Sequence, residues 1–349
     1  MPVRNSERPR IMQVMGTSGA HGGLERHFLD LCNALSDEYQ VIAVSHPAYA
    51  KALSANVQFE SLGTVIGRRN PFTLWRVASI IRRCQPDVIH AHANCAAEII
   101  SYVKRWTSAR CIATCHGQKK RHIGFGRFDQ IIAVSDVVAG TLPFQNVSVV
   151  FNGIQPPQLP AQRDRSALAA RLQMSSDLPI ALSVGRLVDE KGFDILIEAW
   201  QNVPARLVIV GEGLRRPQLE QQIARSGMSD RIHLAGFRRD VPELLGQADL
   251  KVIASRREGF PYTLVEALMC RAVTVSTDIP GANDFIPAPY VVPRLNPAAL
   301  NTCLRKTLQN LDAARVEFEP AWDRARVELT VQAMAQNTAK VYFPMAKAA

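Results

Sequence analysis

The sequence predicts an α/β protein composed of two doubly wound domains. A chain of 349 residues is long for a single hydrophobic core, which favours two domains. Short apolar strands alternate with helices along both halves, and no tandem repeat or low-complexity segment interrupts them. Because short connections between alternating strands and helices require parallel sheets with right-handed crossovers, we expect two doubly wound domains that face one cleft.

Short apolar runs predict the strands. In the first half they cover residues 10–15, 41–45, 57–59, 87–92, 111–115, 131–135 and 147–150. In the second half they cover residues 180–184, 207–211, 232–236, 249–253 and 273–276. Helices are predicted at 24–35, 71–83, 96–103, 193–200, 241–247, 297–308 and 320–343, and from residue 261 onward. This pattern places the first domain at residues 1–154 and the second at 179–319. The linker between them is predicted at 155–178, because residues 155–160 contain three prolines.

Composition limits the class of protein. A hydrophobic content of 47% with 21% charged residues is typical of a soluble globular protein. The chain has no run of eighteen apolar residues, so no membrane-spanning helix is expected, and the N-terminus has no apolar core that would predict a signal peptide. Seven cysteines without a CxxC pair indicate reduced thiols, and Cys111 and Cys115 are expected to fill the core.

Positive charge is concentrated in the first half. The formal net charge is +10, and residues 1–150 carry 17 basic and 10 acidic residues, a net of +7. Basic residues without acids lie between Glu60 and Asp87 and again between Glu98 and Asp129. Such a surface attracts lipid headgroups, a phosphorylated glycan or nucleic acid, although a merely solvated basic surface would give the same pattern. No aromatic-interleaved basic motif of the RRM or OB type occurs, so no nucleic-acid partner is expected.

The segment SRREGFPYTLVEAL, residues 255–268, predicts an anion site between two carboxylates. Glu258 is expected in the loop before a helix, Pro261 at the first helical position, and Glu266 further along the helix. Free backbone amides at a helix N-terminus attract anions. Two acids on either side of these amides would be unusual if the helix only filled space. They make sense if the amides hold a diphosphate while one glutamate holds a sugar and the other a ribose.

Two further segments suggest ligand binding in the first half. The glycine-rich loop at residues 16–23, between a strand and a helix, could cradle a phosphate, although a plain tight turn would look the same. His116 ends a strand at the sheet edge where ligands bind in α/β proteins; alternatively, it caps a neighbouring carbonyl group. We expect only one of His90 and His92 to face a given side of their strand, which makes paired metal binding there improbable.

The EGFPYTLVEAL motif resembles the signature of the retaining GT-B glycosyltransferases, in particular family GT4. Gly-Gly at 22–23, His-Gly at 116–117, Asn-Gly at 152–153 and Gly-Arg-x4-Lys-Gly at 185–192 follow the same order, and the resemblance spans roughly residues 11–343. It implies the GT-B fold, two Rossmann-like domains facing an interdomain cleft. It also implies that the last helix, residues 320–343, crosses back to the first domain and packs there through Trp322 and Tyr342.

The resemblance implies four groups of site residues. The catalytic group is Glu258, His116, Arg186 and Lys191. The donor diphosphate is bound by Gly22, Gly23, Arg186, Lys191, Thr263 and Leu264. The nucleobase is bound by the backbone around Phe237 and Arg238, and the ribose by Glu266. Asp240 is expected to cap the helix that follows. The donor sugar is bound by Glu258, Gly259, Phe260 and Pro261.

The implied activity is retaining transfer of a hexose or N-acetylhexosamine from a nucleotide diphosphate sugar, with a UDP-sugar favoured and GDP-mannose next. No DxD motif occurs, so no metal and no cofactor are expected, and the nucleotide sugar is a co-substrate. Arg186 and Lys191 are suited to neutralise the leaving diphosphate in place of a metal. The expected acceptor is an anionic or lipid-linked glycan of the lipopolysaccharide type. The expected location is cytoplasmic, peripheral on the anionic inner leaflet of the inner membrane.

Two rival activities share parts of this pattern. A nucleotide-sugar epimerase shares the GT-B architecture, and it would convert its donor with no acceptor present. A dinucleotide-dependent dehydrogenase would need GxGxxG followed by an acidic residue, and the glycine loop at 16–23 fits neither that motif nor GxxxxGK[ST].

Overall fold

The structure is a computed structural model that describes residues 8–17, 22–63, 67–118, 122–160 and 162–344. The chain divides into two compact units. Unit 1 contains residues 1–153 and 331–349, and unit 2 contains residues 154–330. Each unit is built around one parallel sheet with helices on its faces, so the predicted fold class of two doubly wound Rossmann-like domains is confirmed.

Unit 1 contains a parallel sheet in the order β3-β2-β1-β4-β5-β6-β7. Its described strands are β1 Arg10–Met15, β2 Gln40–Ser45, β3 Gln58–Ser61, β4 Val88–His92, β5 Arg110–Cys115, β6 Gln130–Ala133 and β7 Val147–Val149. Its first helices are α1 Gly23–Leu35, α2 Pro71–Cys84, α3 Ala93–Val103 and α4 Asp136–Gly140. Helix α2 begins where Asn70 accepts a hydrogen bond from the Phe72 amide and Pro71 occupies the first turn, as helix capping requires.

Unit 2 contains a second parallel sheet in the order β10-β9-β8-β11-β12-β13. Its described strands are β8 Ile180–Val184, β9 Arg206–Val210, β10 Ile232–Gly236, β11 Leu250–Ile253, β12 Thr274–Thr277 and β13 Val291–Val292. Its helices are α5 Arg165–Arg171, α6 Phe193–Ala199, α7 Arg216–Arg225, α8 Val241–Gln247, α9 Tyr262–Met269, α10 Ala282–Phe285, α11 Pro297–Gln309 and α12 Leu311–Glu328.

The predicted linker, residues 155–178, is only partly a linker. It contains helix α5, which Asp164 caps by accepting a hydrogen bond from the Ala167 amide. Leu168 and Leu172 are buried in the core of unit 2. The second half of this segment therefore belongs to unit 2.

The prediction of a single helix at residues 320–343 is wrong. Helix α12 ends at Glu328, and a separate helix, α13, runs from Val331 to Tyr342. Helix α13 packs against α1 in unit 1, where Tyr342 is buried. Trp322 was expected to pack there as well, but it is buried within unit 2, where it stacks obliquely on Phe318.

Strand order reverses at one point in each sheet, between β1 and β4 in unit 1 and between β8 and β11 in unit 2. Such a reversal leaves a crevice at the carboxyl ends of the strands, where ligands bind in doubly wound proteins. The loops that follow these four strands are therefore the first places to look for a site. No helix in the described part of the chain combines the length and the apolar character needed to cross a membrane.

Candidate functional site

The loops after β8 and β11 pack closely together in unit 2. Gly192 has a φ of +64°, and a Cβ atom there would lie 2.1 Å from the carbonyl oxygen of Ala254, so only glycine fits. The Arg256 amide donates a hydrogen bond to the Glu190 carbonyl oxygen at 2.8 Å. These backbone contacts hold the Gly-Arg-x4-Lys-Gly loop against the start of the segment that carries Glu258.

Lys191 and Glu258 form an ion pair between these loops. Lys191 Nζ donates to Glu258 Oε1 at 2.6 Å, and Ser255 Oγ donates to the same oxygen at 2.8 Å. The Lys191 stem passes over Gly185, where a Cβ atom would lie 3.2 Å from Lys191 Cε. Glu258 Oε2 makes no hydrogen bond within the described chain, so one carboxylate oxygen is held and the other is available.

Arg186 follows β8 on the same loop and is exposed. Its side chain makes no hydrogen bond or ion pair with any residue that the structure describes. A guanidinium group without a protein partner can bind two oxygens of a phosphate. The structure thus brings Lys191 and Glu258 together. The Arg186 side chain, on the same loop as Lys191, is available to bind a ligand.

Helix α9 begins one residue later than predicted. Pro261 is the N-cap residue, with extended backbone, and Tyr262 is the first helical residue. The Leu264 amide donates to the Pro261 carbonyl oxygen at 3.0 Å, whereas the Thr263 amide makes no backbone hydrogen bond among the described residues. Of the two amides predicted to bind phosphate, only that of Thr263 is therefore available.

Phe260, which was predicted to bind the donor sugar, is buried in the loop that precedes helix α9. Its side chain is 3% exposed and packs edge-on against Phe285, with ring centroids 5.9 Å apart. A Cβ atom at Gly281 would lie 2.4 Å from the Phe260 ring, so this glycine makes room for it. The Phe260 ring is therefore not available to a sugar, and the buried Gly259 likewise offers only its backbone.

Strand β11 carries a buried lysine, Lys251, that the sequence analysis missed and that interacts electrostatically with Glu266. Lys251 on β11 is fully buried, and its Nζ has no hydrogen-bond partner among the described residues. Burial lowers the pKa of Lys251, while the negative charge of the half-buried Glu266 on α9 opposes this shift. A lysine inside the apolar strand LKVI was the signal in the sequence.

The loop after β10, whose backbone is predicted to bind the base, carries one exposed side chain and one that is held by an ion pair. The Phe237 side chain is 70% exposed. Arg238 makes two hydrogen bonds to the Asp240 carboxylate, at 2.8 and 2.6 Å, and Arg171 makes a third at 2.6 Å. These arginines, Arg238 foremost, hold the pKa of Asp240 far below its usual range. Asp240 is the N-cap residue of α8, as predicted, but its side chain makes no capping hydrogen bond.

In unit 1, Gly22 is the N-cap residue of α1 and Gly23 is its first residue, and both are exposed. Residues 18–21 of the glycine-rich loop lie outside the described residues. The buried Glu25 occupies the first turn, and its Oε2 would lie 3.0 Å from a Cβ atom at Gly22. An acidic group therefore already occupies the helix start at which Gly22 and Gly23 were predicted to bind phosphate.

His90 and His92 lie on the same side of β4, so the expectation that they would not is wrong. Residues two apart in a strand share a face. Their ring centroids are 4.2 Å apart. Half-buried His116 follows β5, and its ring centroid lies 5.9 Å from that of His92.

Buried hydrogen bonds hold these histidines in place. His90 contacts Tyr342 Oη and Thr114 Oγ1, each at 2.6 Å. Gln13 donates to the same Tyr342 hydroxyl at 2.8 Å and contacts His92 Nε2 at 2.7 Å. Burial lowers the pKa of both histidines well below the usual value, so they are neutral near pH 7.

The basic surface predicted in unit 1 is partly neutralised. Arg68 and Arg69 pair with Glu98, and Arg83 pairs with Glu60. Lys119, Lys120 and Arg121, which were counted toward this surface, lie outside the described residues. Beside it, Phe72, Trp75 and Trp106 are 59%, 64% and 56% exposed. A surface hollow of about 450 Å³ is lined by Pro71, Leu74, Trp75, Ala78, Arg82 and Trp106.

Comparison with known proteins is consistent with this architecture. Residues 21–157 match the model of glycosyltransferase family 4, and residues 164–317 match that of the group 1 glycosyl transferases. The lipopolysaccharide core biosynthesis glycosyltransferase LpsE of Rhizobium meliloti is 27% identical over 283 residues, which cover 77% of this chain and 79% of LpsE.

Solved structures share the whole fold. A glycosyltransferase from Rickettsia africae aligns with a TM-score of 0.84 at 20% identity, over 99% of this chain and all of that one. Anabaena HepE, solved in complex with UDP and glucose, aligns with a TM-score of 0.82 at 20% identity, over 97% of this chain and all of HepE. With both family models matched in the expected order on two Rossmann-like units, the chain belongs to the GT-B glycosyltransferases of the GT4 type.

Proposed function

We propose that this glycosyltransferase is a retaining, metal-independent enzyme that moves a hexose or N-acetylhexosamine from a nucleotide diphosphate sugar. The observation that carries the proposal is the Lys191–Glu258 pair at the point where the unit 2 sheet reverses its strand order. The pair holds a cation and a carboxylate together at that edge. The cation suits the phosphates of a nucleotide-sugar donor, and the carboxylate suits its sugar.

The chemistry requires stabilisation of a leaving diphosphate next to an oxocarbenium-like sugar. Lys191 and Arg186 supply positive charge, and the Thr263 amide supplies a hydrogen-bond donor. Because Glu258 Oε1 is held by Lys191 and Ser255, Oε2 is the oxygen that orients the donor sugar.

Other residues complete the proposed reaction. Glu266 binds the ribose hydroxyls, and the backbone near Phe237 and Arg238 binds the base. Neither Glu258 nor Glu266 acts as a nucleophile, and the donor phosphate takes the acceptor proton. The proposed roles of Gly22, Gly23 and His116 in unit 1 stay predictions.

We assign no metal to this reaction, because Arg186 and Lys191 provide the charge that a divalent ion would otherwise supply. The favoured donor is a UDP-sugar, with GDP-mannose next. The support for UDP is the EGFP form of the motif and the UDP in the HepE complex.

The proposed acceptor is a lipid-linked or lipopolysaccharide-type glycan, reached from the cytoplasmic side of the inner membrane. One support is the similarity to LpsE, which is described as a lipopolysaccharide core biosynthesis glycosyltransferase. The other is the surface of unit 1, where exposed Trp75 and Trp106 lie beside Arg82. Tryptophan and arginine together suit the boundary between lipid and water. Nucleic acid is not a proposed partner.

A thermal-shift screen with UDP, GDP, ADP and their sugars tests the donor assignment. A ligand at a hundred times its Kd stabilises the native state by about 2.7 kcal/mol. We expect uridine nucleotides to raise Tm most. Failure of every nucleotide to raise Tm would contradict the proposal. Conversion of UDP-N-acetylglucosamine without an acceptor would favour the epimerase instead.

A further inference from the structure

Three histidines of unit 1 converge on one point. His27 lies on α1, His92 ends β4, and His116 follows β5. One ring nitrogen from each of them lies within 4.8 Å of the other two. The ring centroids of His27 and His116 are 4.6 Å apart, and those of His27 and His92 are 5.5 Å apart. The three residues come from separate elements, so the fold, not local sequence, creates the cluster.

Neighbouring amides decide where two of these rings carry their proton. His27 Nδ1 lies 3.0 Å from Asn152 Oδ1, and His92 Nε2 lies 2.7 Å from Gln13 Oε1. An amide oxygen can only accept a hydrogen bond, so each of these ring nitrogens must donate its proton. The opposite nitrogens, His27 Nε2 and His92 Nδ1, therefore carry lone pairs.

These two lone pairs have no partner in the part of the chain that the structure describes. His27 Nε2 and His92 Nδ1 are buried, and neither has a hydrogen-bond partner among the described residues. Buried polar atoms without partners are rare in folded proteins and call for an explanation such as a bound ion. A transition-metal ion binds to imidazole through such a ring lone pair.

The arrangement resembles a metal centre in its second layer as well. Histidine ligands are commonly oriented by a hydrogen bond from their other ring nitrogen to a carbonyl or carboxylate oxygen. Asn152 does this for His27 and Gln13 does it for His92. Gln13 is itself fixed by its bond to the buried Tyr342 hydroxyl, which sets the direction of its amide.

We propose that His27, His92 and His116 bind one divalent transition-metal ion, with Zn²⁺ the best match. Three imidazole ligands and a fourth position left open are typical of zinc, whereas Mg²⁺ and Ca²⁺ prefer oxygen ligands. Tetrahedral Zn–N bonds of about 2.05 Å would place the nitrogens about 3.4 Å apart. Closing the cluster from at most 4.8 Å requires each nitrogen to move by under about 1 Å, within the reach of small ring rotations.

This site goes beyond the proposed function and does not supply the charge for transfer. The groups proposed to neutralise the diphosphate are Arg186 and Lys191 in unit 2, whereas the histidines belong to unit 1. Stripping the ion with EDTA should therefore leave transfer intact. Metal binding is measured directly, so its failure and failure of the glycosyltransferase proposal are distinguishable.

The test is a titration of the tag-free protein, stripped with EDTA and dialysed, with Co²⁺ as a visible probe and Zn²⁺ as its competitor. We expect one Co²⁺ per chain, with the absorption of a four-coordinate ion, displaced by Zn²⁺. His27→Gln and His92→Gln should each weaken binding at least about tenfold, and Asn152→Ala, which removes the amide that orients His27, by about 10–100-fold. His233→Gln, at an exposed histidine of β10, is the matched control and should bind as the wild type does.

Binding well below one ion per chain, a six-coordinate Co²⁺ spectrum, or wild-type affinity in both ligand variants would overturn the proposal. If a variant loses its native circular dichroism, X-ray absorption of the zinc-loaded wild type decides the question instead. A first shell with three imidazole nitrogens supports the site, and a shell of oxygens alone overturns it.

Discussion

Replacement of Lys251 by methionine should change how the stability of unit 2 depends on pH. The lysine is fully buried with no hydrogen bond among the described residues, and burial lowers its pKa from 10.5 to about 7. Between these two values the unfolded chain binds a proton that the folded chain does not. The stability of the wild type must therefore rise with pH in this window, as the cost of the buried charge disappears.

The size of the effect follows from the two pKa values. Between about pH 7.5 and about pH 9.5 the wild type should gain about 2 kcal/mol from Lys251, since one pKa unit corresponds to about 1.4 kcal/mol. Lys251→Met removes this contribution, so the variant should be the more stable protein at the lower pH and lose most of that advantage at the higher pH. Replacing buried charges by apolar groups of similar volume is often stabilising by about 1–4 kcal/mol.

Urea unfolding followed by tryptophan fluorescence measures this. Trp200 and Trp322 are buried in unit 2, whereas Trp75 and Trp106 of unit 1 are largely exposed, so the emission shift reports mainly on unit 2. The quantity to compare is the wild-type-minus-variant difference at the two pH values, in which groups common to both proteins cancel. These include the Cys270 thiol, whose pKa is raised by burial to about 12.

Lys306→Met, at an exposed lysine of α11, provides the matched control, and its difference from the wild type should stay within about 0.5 kcal/mol at both pH values. A Lys251→Met variant that is less stable than the wild type by the same amount at both pH values would refute the reasoning. It would mean that Lys251 is fully charged and well solvated or paired in the folded protein.

The remaining predictions concern transfer, metal dependence and the membrane. Lys191→Ala and Glu258→Ala should each lower turnover at least about a hundredfold, the scale for one lost charge-stabilising group. The control Lys306→Ala should not lower it. A wild-type rate in Lys191→Ala or in Glu258→Ala would refute the site assignment. EDTA should leave transfer unchanged, and an inactivation that Mg²⁺ reverses would count against the metal-free mechanism. Binding to anionic liposomes should weaken as the salt concentration rises, and Trp75→Ala should lower the affinity about tenfold. Leu214→Ala, which removes an exposed leucine of unit 2, is the control and should bind as the wild type does. Salt-independent or absent binding would contradict the membrane assignment.

The sequence predicted the two sheets because the alternation of apolar strands and helices is a local signal. The boundaries between the units depend on contacts that are distant in sequence. Helix α12 ends at Glu328 where the Leu329 carbonyl oxygen accepts a hydrogen bond from the Ile154 amide, and Thr330 bridges to Ile154. Neither Leu329 nor Thr330 is a helix breaker, so no local pattern marks this end.

Helix α5 was predictable in part. The prolines at 155–160 indicated a linker, but Asp164 followed by Leu168 and Leu172 is a capping residue with apolar positions one turn apart. The His90–His92 error was avoidable too, because a strand has a period of two. By contrast, the role of Asp240 depends on Arg171, which is 69 residues away, and no sequence pattern indicates that pair.

The candidate site was predicted where a motif fixes both residue type and spacing, as for Lys191 and Glu258. Prediction failed where packing decides the role of a side chain. Phe260 lies between ligand-binding residues in sequence, yet its ring fills the space above Gly281. No sequence pattern indicates the proposed metal site, because His27, His92 and His116 converge only in the folded unit.

Calorimetry of UDP and uridine binding, both in EDTA, tests most directly whether protein cations rather than a divalent ion neutralise the phosphates. The account predicts that the wild type binds UDP much more tightly than uridine. Lys191→Ala should lose at least about tenfold of UDP affinity with uridine binding unchanged, and Arg225→Ala, at an exposed arginine of α7, should lose none. The account would be contradicted if the wild type and the Lys191→Ala variant both bound UDP and uridine with equal affinity in EDTA and bound UDP more tightly only after Mg²⁺ was added.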